Sequence, residues 1–520
     1  MAFPTRQYSM KRSLANGVAL LSTAVATAAV PVVQRPNIIL FLVDDMGWQD
    51  TSVPFWTDST AYNRMFHTPN MERLAAQGML FTQAYACPVS SPSRCSLITG
   101  SNAARHRVTN WTLKRDEGTD GTHEGITLPA WNVNGVCQTP GIERSFQATG
   151  FVSLLHEAGY HTIHCGKAHF GAFGTPGEDP HHWGFDVNIA GHAAGGLATY
   201  LSEKNYGHRP DGTPYALNAI PGLEKYWGTG TFATEALTLE ALAALDRQRD
   251  SAQPFFLYMS HYAVHVPIDR DPRFYPKYIA QGLDPREAAY ASLVEGMDKS
   301  LGDLLDWLDR NHQTDNTVVL FMSDNGGLAT ENEWRSGPLF TQNAPLSCGK
   351  GSVREGGIRV PLIVRWPGVT QPASRQTSDY VMIEDLYPTL LDMAHVSIPR
   401  TPQPIDGQSF APLLRGRHAK ARRPLVWNFP NVWGDLGPGI DLCCAIRQGD
   451  WKLIYHYDTG QKELFNIPAD ISESHDLSAT ESALVRRLSR TLGRYLRKVG
   501  AQRPSFSTTG EPCPWPDEVK

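Results

Sequence analysis

Short, almost continuously apolar runs recur along the chain as far as residue 423. The clearest of these runs are residues 37–43, 254–259 and 317–322. Because polar residues do not alternate within them, the runs predict strands that are buried on both faces, as in a mostly parallel sheet. Helical patterns lie between the runs, at residues 68–78, 145–158 and 288–308. The alternation predicts an α/β fold with a large mixed, mostly parallel sheet sandwiched by helices.

The pattern changes near residue 423. The short apolar segments that follow, separated by polar turns, are residues 425–427, 444–447, 451–456 and 463–465. They predict a short antiparallel sheet, and the basic amphipathic pattern of residues 478–499 predicts a helix. The sequence therefore predicts a large domain at residues 35–423 and a smaller C-terminal α+β subdomain at residues 424–520.

Residues 1–28 have the order of a secretory signal peptide. Lys11 and Arg12 precede an apolar stretch at residues 14–25, and the small residues Ala26 and Ala28 follow. This order predicts export, with cleavage near residue 26 or 28. The stretch is too short and too rich in alanine for a membrane span, so no stable membrane insertion is predicted.

Composition narrows the classes of function. The chain has 520 residues and a formal net charge of −5, and its 41% hydrophobic and 19% charged residues are typical of a soluble globular protein. Such a charge gives no basic surface for nucleic acid, so no nucleic-acid partner is predicted. The eight cysteines include no C-x-x-C pair that would indicate zinc. An anionic substrate would need a locally positive pocket.

Polar residues follow four predicted strands, the fourth of which is the segment 161–165. These residues are Asp44 and Asp45, Lys167 and His169, His261 and His265, and Asp324 and Asn325. Because ligands of open α/β sheets bind beyond the carboxyl ends of the strands, we expect such side chains to converge. The two pairs that contain aspartate offer only oxygen ligands. Such a set favours a hard cation, calcium with magnesium as the alternative, because calcium tolerates irregular geometry better.

Positively charged residues complete a candidate site. They are Arg94, Lys167 and Lys350, and His169 and His265 can transfer protons. A bound cation together with arginine and lysine side chains forms a clamp for a tetrahedral oxyanion such as sulfate or phosphate. Each residue alone has a structural explanation, since Asp-Asp pairs cap helices and Asp-Asn-Gly forms turns. Their convergence on one sheet edge favours the functional interpretation.

The segment SSPSRCSLITG, residues 90–100, matches the signature of the sulfatase family, in which Cys or Ser is followed by x-Pro-Ser-Arg and later by Thr-Gly. Further matches occur in the family's order at PNII (36–39), DDMG (44–47), GKAH (166–169), VHVP (264–267), SDNG (323–326), GKGS (349–352) and EGGIRVP (355–361). WKLIY (451–455) and ELFN (463–466) resemble its C-terminal subdomain. The chain is therefore identified as a member of the type I, formylglycine-dependent sulfatases of the alkaline phosphatase-like superfamily. It departs from the family at Ala168, in place of Trp, and at Val264, in place of Pro.

The resemblance implies a sulfuric ester hydrolase whose nucleophile derives from Ser90. The register of the signature selects Ser90 over Cys87 and Cys95, which lie too early and too late. In the family this residue is oxidised to formylglycine, and its hydrate, a geminal diol, attacks with one oxygen and expels sulfate with the other. The serine start resembles the bacterial class that radical maturases convert before export, which implies a periplasmic enzyme.

The resemblance also implies a role for each site residue. The metal ligands would be Asp44, Asp45, Ser90 as formylglycine, Asp324 and Asn325. Arg94 would orient the diol at a helix N-terminus, which favours anions. Lys167 and Lys350 would bind the sulfate oxygens, His265 would protonate the leaving alkoxide with help from Lys350, and His169 would take the proton of the remaining hydroxyl.

Bacterial relatives of the Ser type imply a sulfated saccharide as substrate, which would make the protein a glycan exo-sulfatase that releases inorganic sulfate. Two alternatives within the superfamily are an aryl sulfatase and a phosphodiester or phosphonate monoester hydrolase. A non-enzymatic alternative is a sulfated-glycan-binding protein in which Ser90 stays unconverted. The sequence makes no prediction of the oligomeric state or of the sugar. Trp111 and residues 181–183 could line a substrate pocket or simply pack on the surface, and residues 191–207 predict an irregular loop near the site.

Overall fold

The computed structural model describes residues 1–5, 35–329, 333–418, 423–434 and 437–519. The chain divides into two units, residues 1–34 and 35–520. Of the first unit, only residues 1–5 are described, and they form no regular secondary structure. The rest of the predicted signal peptide lies outside the described residues. All the elements below belong to the second unit.

The apolar runs of the sequence form the middle of a nine-stranded sheet. The strands of the chain are β1 (Asn37–Val43), β2 (Met79–Tyr85), β3 (Ile126–Thr127), β4 (Val136–Cys137), β5 (Phe146–Gln147), β6 (His161–Gly166), β7 (Val187–Ile189), β8 (Phe255–Ser260), β9 (Thr317–Ser323), β10 (Arg359–Arg365), β11 (Ser374–Gln376), β12 (Val381–Met382), β13 (Leu425–Phe429), β14 (Cys443–Gln448), β15 (Trp451–His456), β16 (Lys462–Asn466) and β17 (Ser505–Phe506). The large sheet has the order β11-β2-β10-β9-β1-β8-β6-β7, and β12 also pairs with β2. Strand β10 is antiparallel to β2 and β9, whereas the other pairs in this sheet are parallel. The predicted mixed, mostly parallel sheet is confirmed.

Helices cover both faces of this sheet. They are α1 (Ala61–Met65), α2 (Pro69–Gln77), α3 (Ser90–Thr99), α4 (Ala103–His106), α5 (Phe151–Glu157), α6 (Ala233–Gln248), α7 (Tyr275–Ala280), α8 (Pro285–Arg310), α9 (Glu355–Ile358), α10 (Leu386–Met393), α11 (Ala411–Leu414) and α12 (Ser482–Val499). Alternate residues of β1 enter two separate cores. Ile39, Phe41 and Val43 pack with residues of α2, α6 and α8, whereas Ile38 and Leu40 pack with residues of α5 and α10. Burial on both faces explains why the run at β1 has no polar residue after Asn37.

Two predicted helices begin later than their patterns indicate. Helix α12 starts at Ser482 rather than at residue 478. Residues 145–158 contain the short strand β5, and helix α5 starts only at Phe151. Gly150 caps α5 with an extended backbone, φ −75° and ψ 146°, which separates the strand from the helix. The predicted helix at residues 68–78 is confirmed, with Pro69 in its first turn and Gly78 at its C-cap.

The C-terminal segments form the predicted antiparallel sheet, in the order β13-β14-β15-β16. Helix α12 contributes its apolar side, including Leu488, Leu492 and Leu496, to a core shared with this sheet. The division of residues 35–520 into two domains at residue 423 stays a prediction. Among the described residues, every helix is too short or too polar to cross a lipid bilayer.

Candidate active site

The carboxyl ends of β1 and β9 bring four oxygen donors together. The two strands are parallel neighbours, with Val43 opposite Ser323, so Asp44-Asp45 and Asp324-Asn325 leave the sheet side by side. The carboxylates of Asp44, Asp45 and Asp324 are fully buried and offer oxygens that lie within 4.8 Å of one another. Three clustered carboxylates could hold a metal ion, and their oxygen donors suit the hard cation that the sequence predicts.

Ser90 lies next to this carboxylate cluster. It is the first residue of α3, and Val89 caps that helix with extended backbone. The Ser90 hydroxyl lies 3.0 Å from Asp44 Oδ1 and 3.2 Å from Asn325 Oδ1. The residue that the signature selects is therefore in contact with two of the predicted metal ligands, and the first turn of α3 presents it to the same space.

Three basic side chains surround the carboxylates, each paired with one of them. Lys167 Nζ donates to Asp44 Oδ2 at 2.7 Å. Lys350 Nζ donates to Asp45 Oδ2 at 2.8 Å, and Arg94 Nε donates to Asp324 Oδ2 at 2.8 Å. Three carboxylates therefore face three cations, so a divalent cation would make the site positive. A positive site suits an anionic substrate.

Charge and burial set the protonation of this cluster. Burial and the neighbouring carboxylate of Asp324 raise the pKa of Asp44 to about 8. Burial also lowers the pKa of Lys167 to about 8. For Asp45, burial would raise the pKa, but Lys350 and His265 lower it below its ordinary value. The donor set fits a hard divalent cation, because a bound cation would keep all the carboxylates ionised.

Lys167 reaches the cluster because the chain turns tightly after β6. Gly166 has φ +100°, and a Cβ at this position would lie 1.9 Å from the carbonyl oxygen of Ser260. The Lys167 amide donates to that same carbonyl at 2.7 Å. Only glycine allows this approach between the ends of β6 and β8, which places Lys167 beside Asp44.

Hydrogen bonds fix the tautomer of His169. Its Nε2 lies 2.9 Å from the carbonyl oxygen of Thr112 and 2.9 Å from Ser91 Oγ. Because a carbonyl oxygen only accepts, Nε2 carries the proton, and burial keeps the ring neutral by lowering its pKa well below the ordinary value. Nδ1 is then an unprotonated nitrogen, and it has no partner among the described residues. This tautomer fits the predicted role of His169 as a base.

His265 is oriented by its own backbone. Its Nδ1 donates to the carbonyl of Val266 at 2.7 Å, which leaves Nε2 facing Asp45 Oδ2 at 3.7 Å. Burial and the positive charge of Lys350 lower the pKa of His265 to about 3. Lys350 has its own pKa raised by Asp45 in spite of burial. In the chain alone, Lys350 is therefore the protonated member of this pair.

A cavity of about 980 Å³ opens onto Ser90, His169, His265 and Lys350. Its other walls include Trp111, Trp334 and Trp433, with Leu113 and Leu328 between them. The predicted irregular loop lies here as well, because Gly195 and Gly196 line the cavity. A Cβ at Gly195 would lie 2.2 Å from His169 Cε1, so a glycine is needed where the loop covers that ring. The volume suits a sugar-sized ligand.

Two sequence candidates lie away from this site. His261 is buried in the core, with Nε2 2.8 Å from Ser300 Oγ, although it is only four residues from His265. Trp183 is also buried in the core, whereas Trp111 lines the cavity. The sequence missed Ser91, which contacts His169 and whose only signal is its position directly after Ser90. It also missed Trp334 and Trp433, for which no local pattern exists.

Comparison with known proteins identifies the family. Residues 36–396 match the family model described as Sulfatase. The chain belongs to the sulfatase family. Residues 349–501 also match the model for the C-terminal region of N-sulphoglucosamine sulphohydrolase. The predicted membership of the sulfatase family and the predicted activity class, hydrolysis of a sulfuric ester, are thereby confirmed.

Similar proteins include a sulfatase from Formosa agariphila, 32% identical over 94% of this chain and 94% of that protein. The N-acetylgalactosamine-6-sulfatase of Canis lupus familiaris is 30% identical over 91% of this chain and 89% of that enzyme. Two crystal structures of Ps i-CgsB, alone and in complex with k-i-k-neocarrahexaose, are also similar to this chain. Each has 28% sequence identity to it, and their TM-scores are 0.71 and 0.69. They cover 89% of this sulfatase and 93% of their own chains. The predicted fold is therefore that of sulfatases of known structure.

Proposed function

We propose that this sulfatase hydrolyses a sulfate ester on a carbohydrate, with a nucleophile derived from Ser90 by oxidation to formylglycine and with bound calcium. The observation that carries the proposal is the contact of Ser90 Oγ with Asp44 Oδ1 and Asn325 Oδ1 at 3.0 and 3.2 Å. It places a hydroxyl-bearing residue at the carboxylate cluster, at the base of the cavity. Addition of water to formylglycine would give a geminal diol, whose second hydroxyl lets sulfate leave as the aldehyde re-forms; an unmodified serine has only one hydroxyl.

Calcium would be held by Asp44, Asp45, Asp324 and Asn325, with Ser90 as the fifth ligand. The support is the ligand chemistry, since three clustered carboxylates and one amide offer oxygen donors only. When bound, a divalent cation would lower the pKa of an oxygen nucleophile and stabilise negative charge. Magnesium is the alternative, and the irregular set of strand-end ligands favours calcium.

The remaining steps belong to side chains around Ser90. Lys167 and Lys350 bind the sulfate oxygens and stabilise the charge that builds up in the transition state. Arg94 orients the nucleophile from one turn along α3. His169 removes a proton through Nδ1, and His265 gives a proton to the leaving oxygen with Lys350 as the proton source. The tautomers fixed by Thr112 and Val266 support this division, because each leaves one free ring nitrogen.

A carbohydrate substrate is supported by the cavity and by the relatives. Indole rings of Trp111, Trp334 and Trp433 line a cavity with few charged groups, a surface on which sugar rings pack. One relative is an N-acetylgalactosamine-6-sulfatase, and Ps i-CgsB has been crystallised with k-i-k-neocarrahexaose. We therefore assign sulfated saccharides, rather than aryl sulfates, to the cavity.

The substrate assignment is tested with monosulfated galactose, N-acetylgalactosamine and N-acetylglucosamine. We expect sulfate release from at least one of these sugars, with kcat/KM above that for 4-nitrophenyl sulfate and for a phosphodiester. The reason is that a sugar can both pack on the indole rings and hydrogen-bond through its hydroxyl groups to polar lining residues such as Asn218, whereas the aryl ester and the phosphodiester lack those hydroxyl groups. Turnover of the aryl sulfate or the phosphodiester, with no release from any sugar, would replace the proposal by one of those activities.

Metal removal is expected to inactivate and destabilise the enzyme. Dialysis against a chelator should lower the melting temperature and abolish sulfate release, and calcium should restore both, because the cation binds only the folded carboxylate cluster. Metal analysis should find about one calcium per chain and none in Asp324→Asn. Asp298→Asn removes another buried carboxylate, in α8, and should keep its calcium. Equal calcium in both variants would contradict the assignment of the site.

Two alternatives are less well supported. A two-zinc phosphatase would use histidine ligands, but the group of described residues suited to a metal consists of three aspartates, and Asn325 completes it. A binding protein with an unconverted serine would not need the free nitrogens of His169 and His265. The filled set of catalytic positions therefore favours an enzyme.

Export and activation complete the proposal. The segment at residues 1–28 supports transport to a bacterial periplasm, and the serine at position 90 supports conversion by a radical maturase before export. Activity would then depend on co-production of such a maturase.

A further inference from the structure

The walls of the catalytic cavity carry very little positive charge. Among the described residues that line it, Lys350 is the single lysine or arginine, and its ammonium group is paired with Asp45 at 2.8 Å. Arg94 and Lys167 lie beneath the cavity in ion pairs with Asp324 and Asp44. All three cationic side chains therefore lie at the carboxylate cluster, where the sulfate group would bind. They leave no cation on the walls that surround the sugar.

The walls of the same cavity carry a carboxylate. Glu333 is exposed and lines the cavity, directly before Trp334 in the chain. No counter-ion for Glu333 lies within salt-bridge distance among the described residues. An anionic group on the substrate near this wall would meet a negative charge, whereas an uncharged sugar would not.

A second cavity of about 520 Å³ lies next to the first, since Leu217 lines both. Its apolar walls include Phe173 and Tyr215, and Tyr215 and Leu217 are about half exposed. The described lining contains no lysine or arginine; its ionisable groups are the carboxylate of Glu178, the phenol of Tyr215 and the imidazoles of His192 and His208. The second cavity therefore resembles the catalytic cavity, because the walls of both combine apolar side chains with a carboxylate.

We infer that this sulfatase selects saccharides that are uncharged apart from the sulfate being removed, and that Glu333 is the residue that rejects a second anionic group. This inference rests on the proposed function, since it concerns the sugar part of the same substrate. A uronic acid or a second sulfate next to the scissile ester is the chemistry that Glu333 excludes. An uncharged hexose fits both cavities.

The test uses whichever of the three monosulfated sugars is hydrolysed, joined at either end to galactose, or to glucuronic acid, or carrying a second sulfate. For the wild-type enzyme we expect kcat/KM about fivefold lower for the charged compounds than for the galactose disaccharide, mostly through KM. This gap in kcat/KM between charged and uncharged compounds should shrink at about 0.5 M salt, because exposed charges are then screened. Glu333→Gln should close the gap, and Glu333→Lys should reverse it.

Glu157→Gln is the matched control, because Glu157 is an exposed carboxylate in α5 that lines neither cavity. It should leave the gap unchanged. Equal kcat/KM for charged and uncharged compounds in the wild type, or a gap that Glu333→Gln does not change, would overturn this inference and leave the proposed function intact. Release of sulfate from none of the sugars would overturn both.

Discussion

Replacing Ser90 by alanine is expected to abolish sulfate release, lowering kcat by at least about 10⁴-fold. Alanine has no oxygen to oxidise, so neither a nucleophile nor a ligand beside Asp44 and Asn325 would remain. The measurement is inorganic sulfate released from the best sugar substrate, with the melting temperature recorded to show that the variant is folded. A folded Ser90→Ala enzyme with substantial activity would place the nucleophile elsewhere.

Ser96→Ala is the matched control for this experiment. Ser96 lies in the same helix, α3, is fully buried, and its Oγ contacts His106 Nε2 at 3.0 Å rather than the carboxylate cluster. Its removal is expected to cost stability and to leave kcat within a few-fold of the wild type. Comparable loss of kcat in both variants would mean that α3 is being disrupted, and that Ser90 has no special role.

Replacing His265 by alanine is expected to affect poor leaving groups most. For a sugar sulfate, kcat should fall by about 10²- to 10⁴-fold, because an alkoxide needs a proton as it leaves. For 4-nitrophenyl sulfate the loss should be small, since the phenolate leaves without one. Parallel kinetics with the two esters measure this difference directly.

The comparison of the two leaving groups distinguishes His265 from Lys350 as the donor of the proton to the leaving oxygen. Equal losses for both esters would contradict a role for His265 in protonation and would leave Lys350 as the sole proton donor. His181→Gln, which removes an exposed histidine that lines neither cavity, should change neither rate. Unchanged rates in this control would show that the loss of activity in His265→Ala comes from the position of His265 in the site, and not from removing a histidine elsewhere in the protein.

The strand ends could be predicted from the sequence because their signal is local. The apolar runs of β1 and β9 are continuous, and parallel neighbours in one sheet must end at the same edge. Asp44 and Asp324 follow directly from that argument. The start of α5 could not be predicted as well, because Gly150 caps the helix in the middle of a segment with continuous helical periodicity.

The walls of the cavity could not be predicted, because they come from loops far apart in the chain. Trp111, Glu333 and Trp433 meet only in the folded protein, and no spacing in the sequence connects them. His261 and His265 illustrate the same limit within one loop. Both follow β8, yet one contacts Ser300 in the core and the other faces Asp45. Hydrophobic periodicity predicts helices and strands. The direction of a side chain after a strand depends instead on how all the loops at that edge of the sheet pack together.

If Ser90 is formylglycine in the active enzyme, its side chain has lost two hydrogen atoms. This loss is tested most directly by mass spectrometry of the peptide that contains Ser90, from enzyme produced with a radical maturase and shown to release sulfate. We expect a peptide lighter by the mass of two hydrogen atoms, with activity proportional to the converted fraction. An unchanged serine in fully active enzyme would contradict it.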